Sequence, residues 1–178
     1  MKKILFIPSI AVMALLASCG SKEPAKTEQP TMETPAAAPA ETETQPAESA
    51  ASAVTDHITL TGDDQMKYDG YMFKIKAGQD VKLTMTNAGK LPKEAMGHNV
   101  VILAKGTDVA AFAKEAAKDK ADGYIPASMK SSIIAHTKTL GPGETDEITF
   151  KIDAPGEYDF ICSFPGHYIT MKGKIVVE

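Results

Sequence analysis

The chain has 178 residues, 24% of them charged, with a formal net charge of −4 at neutral pH, no arginine, two cysteines, four histidines and no tryptophan. Its length suits one ordinary domain. Nothing in the charge pattern resembles the clustered basic footprint of a nucleic-acid binder.

The chain opens "MKKILFIPSIAVMALLASCG": two lysines, an apolar run from Ile4 to Ala17, then small residues before Cys19. This is the layout of an export signal, and the run is short for a membrane span of about 20 residues. "LASC" resembles the lipobox of bacterial lipoproteins, which implies removal of residues 1–18 and lipidation of Cys19. The expected location is a bacterial membrane, facing the periplasm or the cell exterior.

Residues 19–55 supply the lipidated cysteine and then a stretch rich in Pro, Ala, Thr, Glu and Gln with almost no large apolar side chains. Such a composition buries too little surface to offset the entropy of ordering. The expectation is a disordered tether, with an r.m.s. reach of about 33 Å if it behaves as a flexible coil. Positions 56–178 remain as the folded head, with 15 lysines against 17 acids.

Within the head the dominant period is two. In "VKLTMT" Val81, Leu83 and Met85 alternate with polar residues, and in "EITFKI" Ile148, Phe150 and Ile152 do so; both read as half-buried antiparallel strands. Further strands are expected at 57–60, 71–75, 99–103, 132–136, 158–162 and 174–177. Turn signals such as Gly62–Asp63, Gly141–Pro142–Gly143 and Pro155–Gly156 separate several of them. Seven or eight short strands at this spacing predict an all-β Greek-key sandwich or small barrel.

One segment departs from that pattern. In "TDVAAFAKEAAKDKADG" Val109, Phe112, Ala113, Ala116 and Ala117 recur at helical spacing, with Thr107 or Asp108 as a cap and Gly123 after the end. An amphipathic helix inserted between strands is expected, its alanine face packing closely. There is no phosphate-binding glycine loop, no CxxC and no serine–histidine–acid spacing, so an enzyme is not expected; Asp63 and Asp64 read as solvated turn residues.

With Cys19 lipidated, Cys162 has no disulfide partner in an oxidising compartment. The strand ending in "EYDFIC" puts Tyr158, Phe160 and Cys162 on one face. Pro165 and Gly166 can then turn the chain so that His167 returns towards the sulfur, with Met171 four residues further on. Cysteine, two histidines and a distant methionine form the ligand set of a blue copper centre. His57, His98 and His136 are candidates for the second imidazole, and His98 has a glycine before it that permits close backbone approach.

"MGHN", "IAHTK" and especially "CSFPGHYITMKG" resemble the azurins, cupredoxins of the small blue copper class. The resemblance covers essentially the whole head. It implies copper ligation by His98, Cys162 and His167, with Met171 as a weak axial ligand and the Gly97 carbonyl opposite. Asn99 would tie the two ligand-bearing segments, with Ser163 and Phe164 beside it, and backbone N–H groups would donate to the cysteine sulfur. His136 matches a histidine that is not a ligand.

Three departures accompany the resemblance. The disulfide of the azurins has no counterpart, Val100 stands where tryptophan is common, and Asn87 replaces a histidine, so proton-linked switching at that position should be missing. The implied function is one-electron transfer by a single Cu(I)/Cu(II) ion on a lipid-tethered, monomeric head. Its partners would be cytochromes or copper oxidoreductases that dock briefly around His167, at a patch including Met96, Phe164 and Pro165. The alternative is copper storage or delivery to another exported protein.

Overall fold

A computed structural model of the chain describes residues 53–178; the signal expected at 1–18, the lipidation expected at Cys19 and the tether expected up to position 52 lie outside the described residues. In chain order the elements are β1 (His57–Gly62), β2 (Met72–Ile75), β3 (Asp80–Asn87), α1 (Lys93–Met96), β4 (Val101–Leu103), α2 (Val109–Ala116), β5 (Ile133–His136), β6 (Thr145–Lys151), β7 (Gly156–Ile161) and β8 (Lys172–Val177). Contacts of the head begin ahead of position 56, where the Thr55 N–H donates to the Lys74 carbonyl at 2.9 Å.

The strands form a three-stranded sheet in the order β1-β3-β6 and a five-stranded sheet in the order β2-β8-β7-β4-β5. Alternation decides which face of β3 is buried: Val81, Leu83 and Met85 point inward, and Lys82 between the first two is exposed. β3 and β6 pair antiparallel as expected, with Val81 opposite Phe150 and Leu83 opposite Ile148. Two other pairings are parallel, β1 with β3 and β2 with β8. A period of two is blind to strand direction. The chain leaves β1, crosses to the other sheet for β2 and returns as β3 in the original direction, the crossover that a parallel pair requires.

The core between the sheets contains Leu60, Ile75, Leu83, Met85, Ile102, Phe160 and Ile175, all essentially inaccessible. Each such side chain contributes about 1.5–3 kcal/mol by leaving water. Cys162 is a free buried thiol, so packing of this kind holds the described residues together without a disulfide. Surface ion pairs such as Lys82–Glu147, at 2.8 Å and about half exposed, add little to it.

α2 starts where Asp108 accepts a hydrogen bond from the Ala111 N–H at 3.0 Å. It buries Phe112, Ala113 and Ala116. Ala117, expected on the same face, is exposed at the C-terminal cap, because the helix ends one residue before it. Gly123 serves a later 3-10 turn, Lys120–Asp122, where its φ of 67° suits a residue without a side chain.

Phe160 packs against Tyr68 and Phe73, with ring centroids 5.8 Å away in both cases. Its ring lies over Gly173, where an added Cβ would collide with the Phe160 ring and the Tyr71 carbonyl. A glycine is therefore required in "MKGK" so that β8 can pass beneath the aromatic cluster. Gly173→Ala is expected to lower unfolding stability by about 1–3 kcal/mol through overpacking; an unchanged urea midpoint would contradict this packing.

Candidate metal centre

Three connections supply the site: 62–68 after β1, 97–100 ahead of β4, and 162–171 between β7 and β8. His98 is held by a two-way backbone bridge, its N–H donating to the Leu140 carbonyl at 3.1 Å and the Leu140 N–H returning to its carbonyl at 2.7 Å. The preceding Gly97 lies so close to its neighbours that a Cβ would stand 2.7 Å from both the Lys93 carbonyl and Thr139 Cγ2. Asn87 steadies the same region, with Nδ2 donating to the Leu140 carbonyl at 3.0 Å and Oδ1 accepting from the Gly89 N–H at 2.9 Å.

The second ligand-bearing loop closes on itself. The Cys162 N–H donates to the Met171 carbonyl at 2.9 Å, the Met171 N–H to the His167 carbonyl at 2.8 Å, and the His167 N–H to the Phe164 carbonyl at 3.0 Å. Gly166, at φ 83°, makes the left-handed turn between them. His167 is thereby brought back over the sulfur, and its ring rests against Phe164 with centroids 4.6 Å apart.

His98, Cys162 and His167 are all buried, and one ligand atom from each lies within 4.8 Å of the others. His98 Nδ1 and His167 Nδ1 are 3.2 Å apart, and Cys162 Sγ is 3.6 Å from His167 Nδ1. His98 Nε2 is 2.9 Å from the Asp63 carbonyl. A carbonyl only accepts, so Nε2 carries the proton and Nδ1 faces inward with its lone pair. Two nitrogens and a sulfur converging in a dry space form a donor set suited to copper.

Two hydrogen bonds join the segments that carry these atoms. Asn99 Oδ1 accepts from the Ser163 N–H at 2.8 Å, and Asn99 Nδ2 donates to Ser163 Oγ at 2.8 Å. The backbone N–H groups of Asn99 and Phe164 are directed at the Cys162 sulfur. Met171 is fully buried, and its terminal methyl and the His98 ring both crowd the space above Gly62: a Cβ there would lie 3.1 Å from Met171 Cε and 3.2 Å from His98 Cδ2.

The other two histidines are elsewhere. His57 is exposed at the start of β1, and His136 is exposed on β5, with Nδ1 3.1 Å from the Thr137 carbonyl. Asp63 and Asp64 build more than a solvated turn. Asp63 Oδ1 accepts from the N–H groups of Gln65 and Lys67, while Asp64 accepts from those of Lys90 and Leu91 and so links two loops. The Asp63 carbonyl and the Tyr68 hydroxyl, which donates to the Asn99 carbonyl beside His98, are contributors that sequence reasoning missed. A backbone carbonyl leaves no mark in a sequence, and a single tyrosine in a polar stretch carries no pattern.

Burial sets the protonation of the site. It holds the His98 imidazole below its ordinary value despite the Asp63 carbonyl, and burial together with the neighbouring His98 pushes His167 down to about 4. Burial pushes the Cys162 thiol up to about 11, against the pull of the N–H groups of Asn99 and Phe164. At neutral pH the metal-free site therefore has neutral rings and a protonated thiol, which must lose its proton when a metal binds. Imidazoles of the unfolded chain take up protons below about pH 6.5 and those of the folded chain resist, so stability falls as pH is lowered. Metal-free protein is expected to show a lower urea midpoint at pH 5 than at pH 7, with a slope of up to about 1.4 kcal/mol per pH unit for each imidazole. A midpoint that stays level would mean that the rings are not held neutral.

Comparison with known proteins bears on the same residues. Residues 54–178 match the family described as copper binding proteins, plastocyanin/azurin family. The azurin of Alcaligenes faecalis is 37% identical over 122 residues, which cover 66% of this chain and 94% of that protein. Among solved structures, reduced auracyanin from Roseiflexus castenholzii aligns with a TM-score of 0.64 and 36% identity, covering 71% of this chain and 99% of that one. Auracyanin A, a blue copper protein from Chloroflexus aurantiacus, aligns with a TM-score of 0.62 and 32% identity over 68% of this chain and 98% of its own. Two packed sheets, a buried His–Cys–His cluster and these similarities lead to one assignment: the chain belongs to the plastocyanin/azurin family of copper binding proteins.

Proposed function

We propose that His98, Cys162 and His167 would hold the copper ion of a membrane-tethered electron carrier, with Met171 and the Gly97 carbonyl as weaker donors. Membership of the family makes the chain a type 1 copper electron-transfer protein. The observation that carries the ligand reading is the convergence of three buried donor atoms from two segments that Asn99 and Ser163 lock together. When bound, copper supplies a one-electron couple between its cuprous and cupric states.

The residues around the site do the rest. Asp63 fixes the tautomer of His98, the loop bonds aim His167, and the N–H groups of Asn99 and Phe164 take up part of the charge on the sulfur. Ligands held in this way need little rearrangement when an electron arrives or leaves. His167 retains 3% exposure and His98 none, so His167 is the ring nearer to solvent. Pro165, Leu91, Met66 and Ile169 are exposed apolar residues on or beside the ligand-bearing connections. They suit brief docking of redox proteins such as cytochromes or copper oxidoreductases.

The tether is part of the proposal. No helix among the described residues is long and apolar enough to cross a membrane. Anchoring is assigned to the lipid on Cys19 and reach to the linker ahead of the head domain at 56–178, on the exported side of a bacterial membrane. One anchored head could then visit several partners.

Purified protein loaded with Cu(II) is expected to show an intense thiolate-to-copper band in the visible that Cys162→Ser abolishes. Absence of the band in the wild type, or its survival in the variant, would sink the assignment. Carriage and delivery separate by voltammetry. Reversible cycling without copper loss to a metal-free acceptor is expected of a carrier, and ready transfer without cycling would identify a delivery protein.

A further inference from the structure

Tyr124 follows Gly123 at the end of the Lys120–Asp122 turn, and both residues take left-handed backbone, with φ of 66° and 67°. Glycine accepts that conformation freely, whereas a tyrosine held there costs of order 1–3 kcal/mol. The Tyr124 N–H donates to the Asp119 carbonyl at 2.9 Å, and its ring meets Phe164 edge-on with centroids 4.9 Å apart. Phe164 in turn rests against His167. The strained turn thus completes an aromatic stack that runs from His167 through Phe164 to Tyr124, which is 8% exposed and borders a surface groove.

Lys93, Lys120, Lys138, Gly123 and Thr139 line that groove, an open hollow of about 440 Å³. Past Ile125 it continues into a wider apolar hollow bordered by Ile133, Ile134 and Ile148. Its wall is bonded to the copper-facing segments: Thr139 Oγ1 donates to the Gly123 carbonyl at 2.6 Å, and Asn99 Nδ2 donates to Thr139 Oγ1 at 3.4 Å. Glu94 and Asp122 also border it, and Lys93 and Lys138 stand 3.5 and 3.6 Å from Glu144 and Asp146. Exposed pairs of that length contribute little and can exchange partners. Lys120 is exposed and takes part in no ion pair among the described residues. Charge is unevenly spread: the span 90–138 has eight lysines against five acids, and the rest of the head has seven against twelve. The groove is built mainly by the stretch with the positive surplus.

We propose that this lysine-lined groove is a docking surface for an acidic one-electron redox protein, placed so that Tyr124 and Phe164 lie between the partner and His167. Acidic side chains of the partner would take Lys93, Lys120 and Lys138, and apolar ones would settle towards Ile125. A surface of this sign raises the rate of encounter with a negative partner and repels a positive one. The exchange moves one electron, oxidising the partner and reducing the bound copper, with no proton or bond transferred. The apolar patch at Pro165 and Ile169 lacks this selection by charge, so the groove distinguishes among partners that the patch would accept alike.

The inference rests on the copper assignment, and the test keeps the two apart. Cytochrome b5, an acidic haem protein, serves as the probe. With both proteins reduced, so that no electron moves, amide NMR of the full copper-loaded chain is expected to show shifts at Lys93, Lys120, Gly123 and Tyr124 that added salt reverses. In stopped flow at low salt, changing Lys93, Lys120 and Lys138 together to Gln should slow reduction of the Cu(II) protein by cytochrome b5 roughly tenfold. Changing Lys76, Lys82 and Lys151 to Gln removes the same charge from exposed positions outside the groove and should leave the rate near that of the wild type. Equal slowing by both triple variants, no slowing by the groove variant, or amide shifts confined to Pro165-flanking residues and Ile169 would overturn the proposal. A wild type with no thiolate-to-copper band would overturn the copper assignment instead, and the amide shifts would still decide the groove.

Discussion

The reciprocal hydrogen bonds between Asn99 and Ser163 join two stretches of chain that come from different places in the sequence and carry all three converging donor atoms. Each bond is worth about 1 kcal/mol on its own, and leaving either buried partner unpaired would cost more. Their effect on the site exceeds that figure, because they fix the separation between the segment bearing His98 and the segment bearing Cys162. Bridging of His98 to Leu140, closure of the 162–171 loop and the cradle at Gly97 all act on a distance that this pair already sets.

A site built in this way disfavours the charged forms of its own groups. Burial opposes charge on either imidazole and opposes ionisation of the thiol. The metal-free cluster therefore rests in its neutral forms, and a cation that binds the imidazoles and displaces the thiol proton offsets the cost of a buried thiolate. Burial also excludes water as a competing ligand. The folding energy of two packed sheets is what keeps the donors converged.

Much of this was legible in the residues. Period-two alternation located the strands, although their ends moved by a few residues, and the fixed spacing in "CSFPGHYITMKG" placed Cys162, His167 and Met171 in one loop. Strand direction was not legible, because alternation is the same in parallel and antiparallel pairs. Ala117 was misplaced because helical spacing does not mark where a helix stops. The Asp63 carbonyl and the Tyr68 hydroxyl escaped notice for a different reason. Their importance depends on contacts across the fold, from a turn whose sequence reports only that it is a turn.

The central claim is that the polypeptide sets the copper coordination and holds it through the redox cycle. X-ray absorption at the copper edge, on the same loaded sample oxidised and then reduced, tests this most directly. The account predicts one sulfur and two nitrogens as the near ligands in both states, with distances that change little. A sphere of nitrogen and oxygen alone, or loss of a ligand on reduction, would contradict it.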